Sequence, residues 1–427
     1  MSLPDRRLSA RTADSPPAVV IGLDSITGLQ TARILAARGV RVVGVVADRR
    51  HWGAKTRACE EVLECRLDGQ ELIATLTVLA DRLGRAVLFP CTDGSVRALS
   101  LHRDELPGEL ALPLAPHGVV EQLMDKLSFS RYAETVGLPV PATDVLESQD
   151  GVRRAASTLS FPCMVKPAVK TREWLARTQA KGFLARDAAE LSAVYERVRD
   201  WAPALLVQEW VSGPEDGLFS CNAYFGAGGV PLATFVARKL RQWPPGVGTS
   251  ASGEECRNDE VLDTTLRLFG GLRYRGLAYL EMKRDAVSGR LVIIEPNVGR
   301  PTGRSAIAEA GGVELVLTAY RDALALPLPD RREQRYGGAR WVDLRRDAQA
   351  VLVARRTGSV SVLDWLSWMR GSKAHAIWSR QDPAPFVTDL RRASITGLRA
   401  LLAQRRTPQQ VMTDPAPALL GWTGWSG

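Results

Sequence analysis

An α/β architecture of two or three domains is predicted by three features of this sequence. The first is residues 18–48, AVVIGLDSITGLQTARILAARGVRVVGVVAD, which read as strand, glycine-containing turn, amphipathic helix and strand. The second is residues 276–297, where the β-rich runs GLAYLEMK and RLVIIEPN flank a short turn with Asp285, Ser288 and Gly289, the pattern of a β-hairpin. The third is size: 427 residues, 45% of them apolar and 24% charged, is more than one hydrophobic core normally serves.

Composition narrows the chemistry. The 56 Lys+Arg against 47 Asp+Glu give a formal charge of +9, which suits anionic small ligands. No basic run is interleaved with aromatics, so no specific nucleic-acid partner is expected. Six cysteines (59, 65, 91, 163, 221, 256) form no CxxC pair and read as reduced, cytoplasmic residues. The four histidines make neither a zinc motif nor a Ser-His-Asp order. The start, MSLPDRRLSARTADSPP, has no apolar core of a signal peptide, and no run approaches a membrane span.

In chain order, residues 1–17 read as disordered. In the first β-α-β unit Gly22 and Gly28 stand with five residues between them. That is not the dinucleotide fingerprint, so a tight turn with close helix packing is favoured. A further unit follows: helix ELIATLTVLADRLG, strand AVLFP, and a helix opened by Thr92-Asp93-Gly94. There Thr92 or Asp93 serves as N-cap or as a substrate contact. From about 119 the texture changes. VVEQLMDKLSFSRYAETVG reads as one helix carrying Lys126 and ended by Gly137. LSFPCMVKPAV is an apolar strand carrying Lys166, costly to bury unless it meets an anion. The strand ALLVQEWV holds Gln208, Glu209, Trp210 and Val211, and breaks at Ser212-Gly213-Pro214. PLATFVARKL is a strand, and WPPGVGTSASGEEC reads as a long loop able to cover a pocket. A helix, the hairpin, and two helices split by Gly311-Gly312 complete the unit near residue 330. Residues 331–427 form an Arg- and Trp-rich, mostly helical C-terminal extension, whose Trp365, Trp368 and Trp378 suit core or subunit contacts.

The hairpin carries the chemistry. If it is symmetric about its turn, Glu281 lies opposite Glu295, and Asn297 shares the face of Glu295. Two carboxylates about 5 Å apart repel unless a cation lies between them. Oxygen-only ligation points to Mg²⁺ or Mn²⁺; a solvated hairpin is the alternative from these residues alone. Two lysines to neutralise a polyphosphate, an edge strand for a purine and acidic metal ligands, in that order, make an ATP site.

This order resembles the ATP-grasp superfamily, in its carboxylate–amine ligase branch related to the carbamoyl-phosphate synthetase large chain. The resemblance covers roughly residues 18–330. It implies an ATP-grasp fold (two α+β subdomains clasping ATP, 119–330), preceded by a Rossmann-like parallel-sheet domain (18–118). By resemblance, Lys126 and Lys166 contact the ATP phosphates, and Gln208, Glu209, Trp210 and Val211 form the hinge, with the backbone of the last two reading adenine. Glu215 binds ribose, while Glu281, Glu295 and Asn297 hold Mg²⁺. Arg300, Arg304 or both steady the transferred phosphate or the substrate carboxylate. Lys239, in the run Arg238-Lys239-Leu240-Arg241, faces the phosphate or acceptor side; on an exposed strand this run would instead be solubilising charge.

Two departures stand out. Val298 and Gly299 follow Asn297, where the commoner motif has Glu-x-Asn-Pro-Arg, so the arginine is displaced by one. In place of a Gly-rich phosphate loop stands KTREWLARTQAKG, with Lys170, Arg172, Arg177 and Lys181: a basic lid or a solvated helix. The implied reaction is ATP-dependent activation of a small-molecule carboxylate as an acylphosphate, then its transfer to an amine (or thiol) with release of ADP and phosphate. Relatives of this kind are often homodimers. Rival readings are a non-amine acceptor, an ATP-binding regulatory or scaffold protein with a decayed site, and an NAD-dependent oxidoreductase, which lacks its glycine fingerprint.

Overall fold

In the computed structural model, residues 15–404 are described, apart from 170, 179, 247, 304, 357–359 and 372. The first unit contains β1 (Ala18–Ile21), α1 (Ile26–Ala37), β2 (Val42–Val46), β3 (Glu61–Glu64), α2 (Gln70–Leu83), β4 (Ala86–Pro90), α3 (Asp93–Leu101) and β5 (Leu110–Ala111). Its strands are parallel, in the order β3-β2-β1-β4-β5. The chain direction across the sheet reverses between β1 and β4, so their carboxyl ends form a switch point, the usual ligand crevice of such sheets.

Local sequence explains the two turns there. Gly22 has φ +92°, and a Cβ on Gly28 would lie 2.2 Å from the Gly22 carbonyl oxygen; these glycines serve the turn and the packing of α1. Thr92 is the N-cap of α3, exchanging hydrogen bonds with Ser95 in a capping box. Thr92→Ala should lower the unfolding free energy by about 1 kcal/mol, measurable by denaturant titration, and loosen Asp93 in the first turn.

Next come α4 (His117–Met124), α5 (Lys126–Thr135), β6 (Thr143–Leu146), α6 (Gln149–Thr158), β7 (Cys163–Pro167), α7 (Arg172–Arg177), β8 (Phe183–Ala185), α8 (Ala188–Val198) and β9 (Leu205–Glu209). The single helix read from sequence is thus two. Asp125 breaks it by capping α5 through the Ser128 amide, which puts Lys126 at the first position of a new helix. The strands form an antiparallel sheet, β6-β9-β7-β8, backed by an apolar cluster that includes Val165, Leu191 and the fully buried Trp174 of α7.

The third unit holds β10 (Leu218–Phe225), β11 (Pro231–Trp243), β12 (Thr249–Glu255), α9 (Asp259–Gly271), β13 (Gly276–Arg284), β14 (Leu291–Val298), α10 (Ser305–Ala310) and α11 (Leu315–Ala323). The expected pocket-covering loop is mostly strand: residues 249–255 form β12, paired with β11. After it come β15 (Arg340–Val342), α12 (Leu344–Arg356), α13 (Val362–Trp368), β16 (Ala374–His375) and α14 (Ala384–Gln404). β15 pairs with β12 and β16 with β15, so the large sheet runs β14-β13-β10-β11-β12-β15-β16. The extension is helical as expected, yet it is no free-standing appendage: two of its strands complete this sheet. Asp347 of α12 accepts a bidentate ion pair from Arg241 and a bond from the Trp365 indole. Arg33 of α1 pairs with Asp382.

One continuous core joins the first unit to the large sheet, from Val20 and Leu29 through Tyr224 and Phe235 to Ile307, Val316 and Trp341. Burial of this apolar surface fixes the switch point of the first sheet against one face of the second. None of the described helices is long and apolar enough to cross a membrane.

Candidate active site

The predicted hairpin forms as its alternation requires. Glu281 pairs directly with Glu295, and Tyr279 with Asn297. The symmetry stops there, because Met282 pairs with Ile293 and leaves Ile294 as a bulge that re-aims the strand end. Asp285 holds the turn by accepting from the Ser288 amide and hydroxyl, which keeps its carboxyl down at about 2. Ser212 donates to the same Asp285 at 2.9 Å and so ties the hinge to the hairpin.

Glu281 and Glu295 place two carboxylates, and Asn297 a carboxamide, on adjacent strands. The Asn297 amide points to Glu295 Oε1 at 3.5 Å, and its Oδ1 accepts from Arg300 at 2.6 Å. Each such oxygen keeps a lone pair beyond the bonds it makes. A hard, oxygen-only donor set of this kind fits Mg²⁺. Among the described residues no group of three His, Cys, Asp or Glu gathers, which leaves no softer cluster elsewhere for a transition metal.

Lys239 is 3% exposed and lies 3.6 Å from Glu281 Oε1, so it is a buried cation beside the hairpin carboxylate and not solubilising surface charge. Its neighbours turn elsewhere: Arg238 pairs with Glu254 and Arg241 with Asp347. Lys166 donates to Gln208 Oε1 at 2.6 Å, and Gln208 in turn donates to Thr143. Burial, with Lys126 adding to it and Glu295 opposing both, pushes the Lys166 ammonium down to about 8. The three groups therefore share one electrostatic neighbourhood although they come from α5, β7 and β14.

A lysine so depressed gains from any anion that meets it. In the folded chain it costs stability below about pH 8, and that cost is relieved as pH rises toward its ordinary value. A bound triphosphate would restore the proton. MgATP binding should therefore take up protons at about pH 8–9 and almost none near pH 6.5. Calorimetry in buffers of different ionisation enthalpy reads this directly, and Lys166→Met should abolish the uptake.

The hinge has two backbone groups already engaged: the Trp210 N–H donates to the Pro162 carbonyl, and the Val211 carbonyl accepts from Lys283 Nζ at 2.9 Å. Of the four backbone groups on these two residues, the Trp210 carbonyl and the Val211 N–H are the ones not engaged by these two bonds. Glu209 turns its side chain to the Ser160 amide. Glu215 accepts from the amides of Gln242 and Gly246, tying the end of β11 to Gly246 beyond it.

Arg300, displaced by one residue in sequence, returns to the hairpin in space. Gly299 has φ +72°, and a Cβ there would meet Leu114 at 2.4 Å and Val96 at 2.8 Å. The missing side chain lets the end of β14 close on α3, and Arg300 reaches both Asn297 (2.6 Å) and Asp93 Oδ1 (2.5 Å). Arg304 and Lys170 lie outside the described residues. The basic segment contains the short helix α7, anchored by Trp174. Its Arg177 lies over the Trp201 ring, 5.7 Å from the centroid, a role in packing.

Tyr279 and Lys283 escaped the sequence reading. Tyr279 donates to Glu281 Oε2 at 2.8 Å, and Lys283 holds the hinge with its ammonium 5.5 Å from the Trp210 ring centre. Both stand two residues from Glu281, on its face of the strand, so the alternation that found Glu281 also pointed to them.

No protein-family model matches the chain. A D-alanine–D-alanine ligase of Ectopseudomonas mendocina is 30% identical over 281 residues, covering 61% of this chain and 80% of that protein. The chain belongs to the ATP-grasp carboxylate–amine ligases. A D-aspartate ligase of Enterococcus faecium is 23% identical over 236 residues, 53% of this chain, and the chain spans only about half (55%) of that relative's length. In fold, this ATP-grasp ligase is similar to the biotin carboxylase domain of Hydrogenobacter thermophilus 2-oxoglutarate carboxylase, described as a dimer with MgADP and bicarbonate. The TM-score is 0.58 at 14% identity, covering 76% of this chain and 72% of that one. ATP-grasp ligases use ATP and Mg²⁺.

Proposed function

We propose that this ATP-grasp ligase activates a substrate carboxylate with ATP and joins the resulting acylphosphate to an amine, releasing ADP and phosphate. The observation that carries this reading is the convergence of Lys166, Lys239 and Arg300 on the Glu281–Glu295–Asn297 hairpin. It is a cationic cradle around an oxygen-ligand set. Such a site works by positioning and charge stabilisation.

Lys126, Lys166 and Lys239 would clamp the ATP phosphates, and Arg300 the transferred phosphoryl group or the substrate carboxylate. Glu281, Glu295 and Asn297 would hold Mg²⁺, which supplies neutralisation of the phosphate charge. The Trp210 carbonyl and Val211 N–H would read adenine. Glu215 would accept from ribose with the lone pairs its two backbone bonds leave. The substrate carboxylate then attacks the γ-phosphorus in line, and the amine displaces phosphate from the acyl carbon. The two relatives' names point to small amino acids as acid and amine. A cytoplasmic location is supported by six unpaired cysteines. A homodimer is supported by the dimeric neighbour and by exposed Leu352, Leu363 and Leu366 on α12 and α13. Light scattering would settle the assembly.

Phosphate release by the purified protein with MgATP tests the reaction, against D-alanine, D-aspartate and other small amino acids, singly and in pairs. Release that requires an acid and an amine together, with the amide product seen by mass spectrometry, supports the proposal. Release independent of any amine opposes it.

A further inference from the structure

Asp93 stands where no part of this reaction needs it. It is the first residue of α3, on the opposite domain from the metal hairpin and 207 positions from Arg300 in sequence. Yet its Oδ1 accepts from Arg300 Nε at 2.5 Å, while Arg300 Nη2 reaches Asn297 Oδ1 at 2.6 Å. The two partners are unlike in setting. The Arg300 side chain is 16% exposed and that of Asp93 is 66% exposed, so the carboxylate meets a mostly covered guanidinium from the solvent side. Thr92, capping through Ser95, fixes the backbone that presents it. Gly299, closed on Val96 of the same helix, fixes the backbone that presents Arg300.

We infer that Asp93 is a built-in competitor for Arg300. Its carboxylate takes the edge of the guanidinium that an anion at the reacting centre would take, and an arriving phosphate or carboxylate must displace it. The inference rests on the reading of Arg300 as the anion contact. Arg300 is then held aligned between substrates, anion affinity at the centre is weakened, and phosphate leaves more readily after turnover. Asp93 acts through Arg300 and is a positioning residue, not a catalytic one.

The test is equilibrium binding of inorganic phosphate to the full-length protein saturated with MgADP. Asp93→Asn should bind phosphate roughly tenfold more tightly than the wild type, since the lost competitor is a charge-assisted bond. Loss of structure could not produce such a gain. Arg300→Gln should bind more weakly, and adding Asp93→Asn to it should change nothing further. An Asp93→Asn protein with unchanged or weaker phosphate binding overturns the inference alone. So does equal tightening with and without Arg300, which would make Asp93 a general repulsive charge. If Arg300→Gln binds phosphate as the wild type does, the role of Arg300 as anion contact fails, and the competitor with it.

Discussion

Glu295→Gln should leave the protein folded and cut turnover about 10²–10³-fold, the usual cost of removing one preorganised electrostatic contact at a reacting centre. Glu295 is the exposed member of the oxygen set, so the substitution buries nothing new; it does remove the negative charge that favours protonated Lys166, and stability should fall by about 1 kcal/mol or less. The loss should appear in kcat and in the Mg²⁺ concentration for half-maximal rate, because the glutamine keeps the shape and removes the charge. Steady-state kinetics across a magnesium titration, with circular dichroism as the folding control, separate these effects. Glu281→Gln should be less clean, since Glu281 also receives the Tyr279 hydroxyl and neighbours Lys239, and would leave a buried lysine short of its counter-charge.

Gly299→Ala should cost about 2–4 kcal/mol, the sum of a left-handed backbone at a residue with a Cβ and of overpacking against two apolar side chains. The added methyl would meet Leu114 and Val96 far inside contact distance. The backbone there is also held on two sides, its N–H shared by the Leu277 carbonyl and the Tyr274 hydroxyl. The chain cannot turn away without giving up those bonds. Relief must come by parting β14 from α3, which carries Arg300 away from Asp93. Activity should therefore fall more than the melting temperature alone accounts for, measured well below the midpoint. A variant of unchanged stability would show that the loop yields freely and that Arg300 is not held as described.

What the sequence makes legible is local. The facing of Glu281 and Glu295 follows from a two-residue period and a short turn, and the site face of β13 follows from the same period. Lys166 is legible because an ammonium in an apolar strand demands an anion. The rest depends on partners remote in sequence. The run TSASGEE has the glycine and serine of a loop, and becomes β12 because β11 and β15 supply ladders on both its edges. β15 and β16, of three and two residues, are too short to carry a period of their own. The break at Asp125 was hidden because helical periodicity continues across it; only the Asp–Ser128 cap betrays it. Arg300 looked misplaced when counted along the chain. Its place is set by Gly299 closing on a helix from another unit, a contact no local pattern encodes.

The central claim is that the cradle around Glu281, Glu295 and Asn297 transfers the γ-phosphoryl group of ATP to a carboxylate. The most direct measurement uses an amino acid labelled with ¹⁸O in its carboxyl group, with MgATP and an amine acceptor, and mass analysis of the released phosphate. Transfer through an acylphosphate predicts one ¹⁸O carried from the carboxylate into each phosphate formed. Phosphate without label, released while amide product accumulates, would contradict it.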